Sequence, residues 1–507
     1  MDPVKRYFYE DDIKDFEKYR LNIDDQLKAS DITFFNITNE RMLKRFEEAK
    51  EIYKEILSKP FDYSIDEDFD TDHEQKPYAK NKREMKERWR QQLKFSTLSN
   101  YDDIYTQEKL AKENDASYIS KTAEQIDKEA RESTLKSLNN YFEDFIDDQT
   151  REDWFAVYVN TIVEEFDPHT YYLAPRRRED FDARMSGKLE GIGAQLNKRM
   201  DYIKVVGLIS GGPAWRGQEL EVEDVILKVK QEYEEAPVDI VGMRISDAIK
   251  YIKGPKGTKV TLTIKKVDGT IKDITITRDI VELGETYAKS SWVEKSGKKF
   301  GIINLPAFYV DFEDYKNINA AKDVKEEIER LKAEGMEGLV LDLRNNGGGS
   351  LPAVVEMAGL FIKDGPIVQV RSTGQAKNVL KDTDKSISWD GPLVILVNEI
   401  SASASEIMAA AMQDYKRAVI IGGKQTYGKG TVQQVMDLNS MIRKSTNDDL
   451  GALALTTQKY YRINGGSVQL EGVKSDVQVP GRLSFIDVGE KDMDGALPYD
   501  EIDAADF

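Results

Sequence analysis

A chain of 507 residues exceeds what a single hydrophobic core supports, and its length suggests about three domains. The formal charge of −19 argues against nucleic acid or an anionic membrane as the main partner, since both demand clustered Lys and Arg. The sequence has no cysteine, which excludes disulfides, thiolate metal sites and cysteine catalysis together and fits an oxidising compartment.

Residues 1–165 read as helical. Phe46, Ala49, Ile52, Tyr53 and Ile56 form one apolar stripe at helical spacing, and Ile119, Ala123, Ile126 and Ala130 form another. Between them, Asp62 to Pro77 is an acidic loop. Its Asp66-x-Asp68-x-Asp70 triplet has Thr71 in place of the glycine a calcium loop requires and Pro77 where the bidentate Glu belongs, so it reads as a solvated loop.

A core entry segment, 166–186, precedes a change of texture. From 187 to 283 short β-branched runs alternate with turn signals. Gly191-Ile192-Gly193-Ala194 opens this region as a simple turn or as a nest of amides able to hold a peptide carboxylate. Strands follow at Ile203–Val206, Val225–Val229, Val260–Lys265 and Ile274–Thr277, the last two joined through Asp268-Gly269, a hairpin signal. Short helices fit near Ala214 and over Ser246–Lys253, giving a small β-barrel.

Over 284–485 strands and helices alternate, which predicts an α/β domain with a largely parallel sheet. Strands are expected at Phe300–Leu305, Gly338–Leu343, Ile367–Arg371, Leu393–Asn398 and Ala418–Ile421. Helices are expected at Val324–Ala333, Leu351–Ile362 and Ser405–Tyr415. Two motifs fall just after strands, where sites gather in such sheets. One is Asn345-Asn346-Gly347-Gly348-Gly349, either a turn or a set of amides that could crowd an oxyanion. The other is Ser401-Ala402-Ser403-Ala404-Ser405-Glu406.

A serine hydroxyl needs a base within reach, and the chain holds only two histidines, His73 and His169. His73 sits in the polar loop, and His169 reads as a turn residue. A lysine replaces histidine when burial disfavours its ammonium form. Lys429, in Gly428-Lys429-Gly430-Thr431-Val432-Gln433, is such a candidate, flanked by glycines and expected on a strand face with Thr431 and Gln433. Ser403-x-x-Glu406 is also a capping box, and spacing leaves Ser401, Ser403 and Ser405 all open as nucleophile. Gly423 to Lys429 has the frame of a phosphate loop, but Gly430 replaces its Ser/Thr and no helix follows, so nucleotide binding is a weak alternative.

Taken together, Asp167-Pro168-His169-Thr170, Leu189 to Ala194, Ile252 to Gly257, Asp342 to Gly349, Ser401 to Tyr415, Gly428 to Gln433, Tyr461 to Ser467, Gly489-Glu490-Lys491 and Ala496-Leu497-Pro498 resemble the tail-specific, or carboxy-terminal processing, serine proteases of bacterial envelopes. The long proteobacterial type is the nearest in pattern. The resemblance implies a multidomain α+β chain: a helical N-terminal region, an inserted PDZ β-barrel, a ClpP/crotonase-like α/β protease core, and the start of a C-terminal region over 486–507. It implies Ser403 as nucleophile, Lys429 as general base, Gln433 as the residue that positions the lysine, and the N–H groups of Ala404 and Gly349 as the oxyanion hole. Gly191, Ile192, Gly193 and Ala194 would hold the carboxylate of a protein or peptide substrate with a free, apolar C-terminus. Asp414 would be structural.

No metal or cofactor is implied. A periplasmic setting is, possible delivery by a lipoprotein adaptor is, and nucleic acid is not. The stretch Gly422 to Thr426 carries one residue more than the family pattern, which a bulged loop ahead of the strand could absorb; otherwise the lysine would face the wrong way and leave a PDZ peptide-binding protein without activity. Members usually carry a signal peptide and longer ends, so the chain is expected to be a fragment.

Overall fold

The computed structural model describes residues 2–73, 76–312, 314–441 and 449–506. Glu74 and Gln75 of the acidic loop, and residues 442–448 of the predicted core, lie outside these. The chain divides into two compact units, one ending at Tyr158 and one beginning at Val159.

The first unit is helical. Phe46, Ala49, Ile52 and Tyr53 run down the helix Thr33–Leu57 and are buried in one cluster with Met85, Trp89 and Leu93 of the helix Lys82–Asn114. The second predicted stripe begins later than its periodicity suggested. Thr122 and Gln125 exchange cap hydrogen bonds at the start of the helix Ala123–Tyr141, which leaves Ile119 outside it and 90% exposed.

In the second unit, the region read as a barrel is a six-stranded antiparallel sheet. Its strands Ala194–Arg199, Tyr202–Leu208, Val225–Gln231, Lys259–Lys265 and Ile271–Thr277 pair in that order, with Val238–Asp239 beside Val225–Gln231. Inward positions alternate along each strand, and Ile203, Val205, Ile226, Val229, Val260, Leu262 and Ile264 have no exposed surface. The helix Ile245–Ile252 closes this core with Ala248 and Ile252. Gly269 has φ +90° in the turn between the last two strands, where the Lys266 N–H donates to Thr270 O. The chain enters and leaves this domain through a two-stranded antiparallel ribbon, Lys188–Gly191 against Asp279–Glu282.

The core holds a six-stranded sheet in which Lys298–Asn304, Gly338–Asp342, Leu393–Val397, Val419–Gly422 and Val477–Gln478 run parallel, with Lys289–Lys295 added as an antiparallel hairpin edge. The helices Ala320–Ala333, Leu351–Gly359 and Ala404–Asp414 bury their apolar residues in the same cluster as these strands. One expectation is corrected here. The strand Gly365–Arg371 does not join the parallel sheet. The short link 372–377 turns it back into an antiparallel hairpin with Asn378–Asp382, and both belong to a second sheet with Tyr171–Leu173, Thr431–Asp437 and Ala452–Tyr461.

The parallel register positions the candidate site. Gly338–Asp342, Leu393–Val397 and Val419–Gly422 are neighbours, so the loops that follow them leave the same edge of the sheet. Those loops carry the glycine run, the serine cluster and Lys429.

Candidate active site

The loop after Gly338–Asp342 and the serine loop are fastened together by side chains that reach backbone. Asn346 is fully buried; its Nδ2 donates to Leu305 O at 2.8 Å, and its Oδ1 accepts the Gly348 N–H at 2.9 Å. Its carbonyl in turn accepts the Ala402 N–H at 3.0 Å.

The three serines are no longer equivalent. The Ser401 hydroxyl donates to Leu343 O at 2.8 Å and accepts the Asn398 N–H at 2.9 Å. Ser405 donates to Asn346 O at 2.9 Å. Both are completely buried, and their hydroxyls are committed to holding loops. Ser403 is partly exposed, and its hydroxyl makes no cap hydrogen bond to the helix Ala404–Asp414. Its backbone has φ 55° and ψ −113°, a conformation that costs a non-glycine residue about 1–3 kcal/mol and persists only where the surroundings enforce it.

Two buried side chains enforce it. Glu406 Oε2 accepts the Ser403 N–H at 2.8 Å and also the Lys429 N–H at 3.0 Å. Glu406 Oε1 accepts the Gly428 N–H at 2.7 Å and the Thr426 hydroxyl at 2.6 Å. Tyr460, on the strand Ala452–Tyr461, donates its hydroxyl to Lys429 O at 2.6 Å, with Ser403 O 3.2 Å away. The serine loop and the lysine loop are thus joined on their N–H side by a carboxylate and on their C=O side by a phenol. Burial pushes the Glu406 carboxyl up to about 7 against the pull of its four donors.

Lys429 is not on a strand. The strand starts at Thr431, so Lys429 precedes it. Thr431 and Gln433 do share a face, with the Gln433 amide donating to the Thr431 hydroxyl, and the bulge lies on the partner strand Ala452–Tyr461, where Thr457 is left unpaired. Glycine is required at Gly428, with φ +97° and a Cβ position 3.0 Å from the Leu470 carbonyl carbon. Burial lowers the Lys429 ammonium below its ordinary 10.5, opposed by the charges of Glu490, Glu406 and Asp167. Among the described residues, no hydrogen bond joins the Ser403 hydroxyl to the Lys429 amine.

The Gln433 amide lies elsewhere than on Lys429. Its Nε2 donates to Thr431 Oγ1 at 2.9 Å and Thr456 Oγ1 at 3.0 Å; Thr456 donates to Asp167 Oδ1 at 2.8 Å. Asp414 receives Arg462 at 2.5 Å and ties the end of the serine helix to the neighbouring sheet. The Asp167 turn seats His169, whose Nε2 stands 2.7 Å from Glu490 Oε2.

Gly348 lies flush against Ser403: a Cβ there would stand 2.8 Å from Ser403 Cβ and 3.1 Å from the Ala404 nitrogen. The Gly348 carbonyl accepts the Phe308 N–H at 2.9 Å. In a trans peptide the Gly349 N–H must therefore point away from Phe308. The Ala404 N–H belongs to the first turn of its helix, at the positive end of the dipole.

In the antiparallel domain, Gly191–Ala194 bridges the ribbon and the first strand. Gly193 has φ +73°, its carbonyl accepts the Ile209 N–H, and a Cβ on it would stand 3.2 Å from Gly212 Cα. The Ile192 side chain points into the domain core, 4% exposed, so what this loop offers outward is backbone.

Residues 299–479 match peptidase family S41, residues 182–265 a PDZ domain, and residues 1–176 the tail specific protease N-terminal domain. The chain is 31% identical over 336 residues to a carboxyl-terminal-processing protease of Picosynechococcus sp., covering 66% of this chain and 74% of that one. The chain belongs to peptidase family S41.

A tail-specific protease of Haemophilus influenzae is 42% identical to this S41 chain over 357 residues, 70% of this chain and 50% of its own length, so the chain spans half of that relative. Among solved structures, the photosystem II D1 C-terminal processing protease aligns over 69% of this chain and 88% of its own, with 25% identity and a TM-score of 0.36. The PDZ domain of a carboxy-terminal protease from Vibrio cholerae, in complex with peptide, aligns over 19% and 99%, with 43% identity and a TM-score of 0.18. Sequence reasoning assigned Glu406 only a capping role and gave Tyr460 and Glu490 none; the four residues from Ser403 to Glu406 were the one local signal.

Proposed function

We propose that this S41 chain is a serine endopeptidase that holds the C-terminal tail of a protein substrate through its PDZ domain and cleaves within the substrate by a Ser403–Lys429 dyad. The observation that carries the reading is the division among the three serines. Ser401 and Ser405 are locked onto carbonyls, whereas Ser403 sits in an enforced turn beside the lysine loop.

Neutral Lys429 takes the Ser403 proton as the Ser403 oxygen attacks the scissile carbonyl. The Ala404 and Gly349 N–H groups hold the resulting oxyanion. The Lys429 ammonium gives its proton to the leaving amine, and water, deprotonated by Lys429, hydrolyses the acyl-enzyme. Gln433 acts on Lys429 at one remove, through Thr456 and Asp167. The free carboxylate of the tail would take the amides of Gly191–Ala194, with an apolar terminal side chain beside them.

The cysteine-free sequence suits an oxidising compartment and the relatives are bacterial, which supports a periplasmic setting. Delivery by a lipoprotein adaptor belongs to the same reading.

The test is cleavage of an unfolded protein with an apolar C-terminus, compared with the same protein carrying an amidated C-terminus. Cleavage of the free tail alone, abolished by S403A and K429A, is expected. Cleavage that survives both substitutions refutes the dyad. Tail binding without turnover by the unsubstituted chain would make it a PDZ binding protein instead.

A further inference from the structure

The turn Gly489–Met493 lies beyond the residues that match the protease family, and the reaction as written makes no use of it. It is nevertheless bound into the loop that carries Lys429. The Glu490 N–H donates to Tyr427 O at 2.9 Å, and the Tyr427 hydroxyl donates to Met493 Sδ at 2.9 Å. The Glu490 side chain has no exposed surface. Its Oε1 accepts Gln469 Nε2 at 2.8 Å, and Gln469 Oε1 accepts the Gly430 N–H at 2.7 Å. Its Oε2 stands 2.7 Å from His169 Nε2. Glu490 therefore grips the loop on both sides of Lys429, directly at Tyr427 and through Gln469 at Gly430.

A carboxylate is costly to bury unless charge or donors compensate it. The charged groups around Lys429 are Glu490, Glu406 and Asp167, with Glu490 the strongest of them. Those facing Glu490 are His169, Lys429 and the phenols of Tyr427 and Tyr460. Glu406 carries four donors from the loops it joins, and Asp167 takes Thr170, Thr456 and the His169 N–H.

We propose that Glu490 is a positioning residue for the base: it fixes the loop 427–430 and presents the negative charge against which the Lys429 ammonium forms. The proposal rests on Lys429 being the base of the Ser403 reaction. A nearby carboxylate favours the ammonium, so the isosteric change Glu490→Gln keeps the shape and makes Lys429 easier to deprotonate.

The test reads Lys429 itself, without turnover. In an S403A background, Lys429 is acylated with acetic anhydride across a pH series and quantified by mass spectrometry, with the exposed Lys474 as internal reference. The labelling midpoint of S403A/E490Q is expected on the order of one pH unit below that of S403A, a roughly tenfold gain in labelling at pH values under both midpoints. Glu490→Asp, which keeps the charge but withdraws it, should fall between the two, and it carries the test if E490Q lacks a cooperative melt. Coincident midpoints for all three proteins would overturn the proposal and reduce Glu490 to a packing role. Turnover of the unsubstituted chain and of K429A is measured in parallel. A K429A chain that still cleaves refutes the dyad whatever the midpoints do, and a dead K429A with coincident midpoints refutes only the role of Glu490.

Discussion

One oxygen, Oε2 of Glu406, accepts the backbone N–H of Ser403 at 2.8 Å and that of Lys429 at 3.0 Å. The proposed nucleophile and its proposed base come from loops after different strands, and this atom ties the two loops together. A glutamine there offers one accepting oxygen and two donors to four inward-pointing donors. Glu406→Gln is expected to lower kcat by roughly 10²-fold or more while the PDZ domain still binds a tail peptide. Cleavage kinetics with a parallel peptide titration would check this, and an unchanged kcat would remove Glu406 from the positioning of the dyad.

The Glu406 carboxyl also ties stability to pH. Its folded value, about 7, lies above its ordinary 4.5, so the folded chain holds the proton more tightly than the unfolded one between these limits. The associated stability is complete below about 4.5 and is lost as pH rises towards 7, a change on the order of 3 kcal/mol. The difference in melting temperature between the unsubstituted chain and E406Q should therefore shrink or change sign across pH 4.5–7, independent of any constant offset. A difference that stays level across that window contradicts the assignment.

The proposed base titrates the other way round. In that role the Lys429 amine would be the active form, and burial disfavours the ammonium, so kcat/KM should rise with pH and reach its plateau with a midpoint below 10.5. Lys429→Arg keeps the positive charge but does not deprotonate, and it should be inactive at every pH at which the chain folds. A K429R chain with a measurable plateau would exclude a lysine base.

The serines can be separated experimentally. Ser403→Ala should reduce cleavage by at least about 10³-fold with little change in melting temperature. Ser401→Ala and Ser405→Ala each remove a buried loop-fastening hydrogen bond, costing about 1–2 kcal/mol of stability and leaving the Ser403 hydroxyl in place. Thermal melts and cleavage rates of the three variants should fall into these two classes.

Gly348 should behave as part of the site although it carries no side chain. Its φ is +108°, and a methyl group would meet Ser403 Cβ at 2.8 Å and the Ala402 oxygen at 2.9 Å. Gly348→Ala is expected to cut kcat by about 10²-fold with a smaller effect on KM, because it displaces the hydroxyl and the Ala404 donor together. Steady-state kinetics would show the split.

Local pattern made much of this legible. The Asp268-Gly269 turn, the glycine run after Leu343 and the apolar stripe from Phe46 to Tyr53 each depend on residues close in sequence. What failed depended on distant pairing. Nothing in Ile367–Arg371 distinguishes a parallel strand from an antiparallel one; the short link after it decides. Ile119 keeps helical spacing but precedes the Thr122 cap. Lys429 alternates with Thr431 and Gln433 only if the strand reaches back to it, and the strand begins at Thr431. Glu490 meets His169 across 321 positions, a contact that leaves no periodic trace.

The ribbon formed by Lys188–Gly191 and Asp279–Glu282 gives the PDZ domain an entry and an exit side by side. A module attached at two adjacent strands can be exchanged for another without redirecting the chain on either side of it. Recognition and chemistry would then diverge independently within one polypeptide: a new tail preference needs a different cassette between Gly187 and Leu283, while Ser403, Glu406 and Lys429 stay as they are.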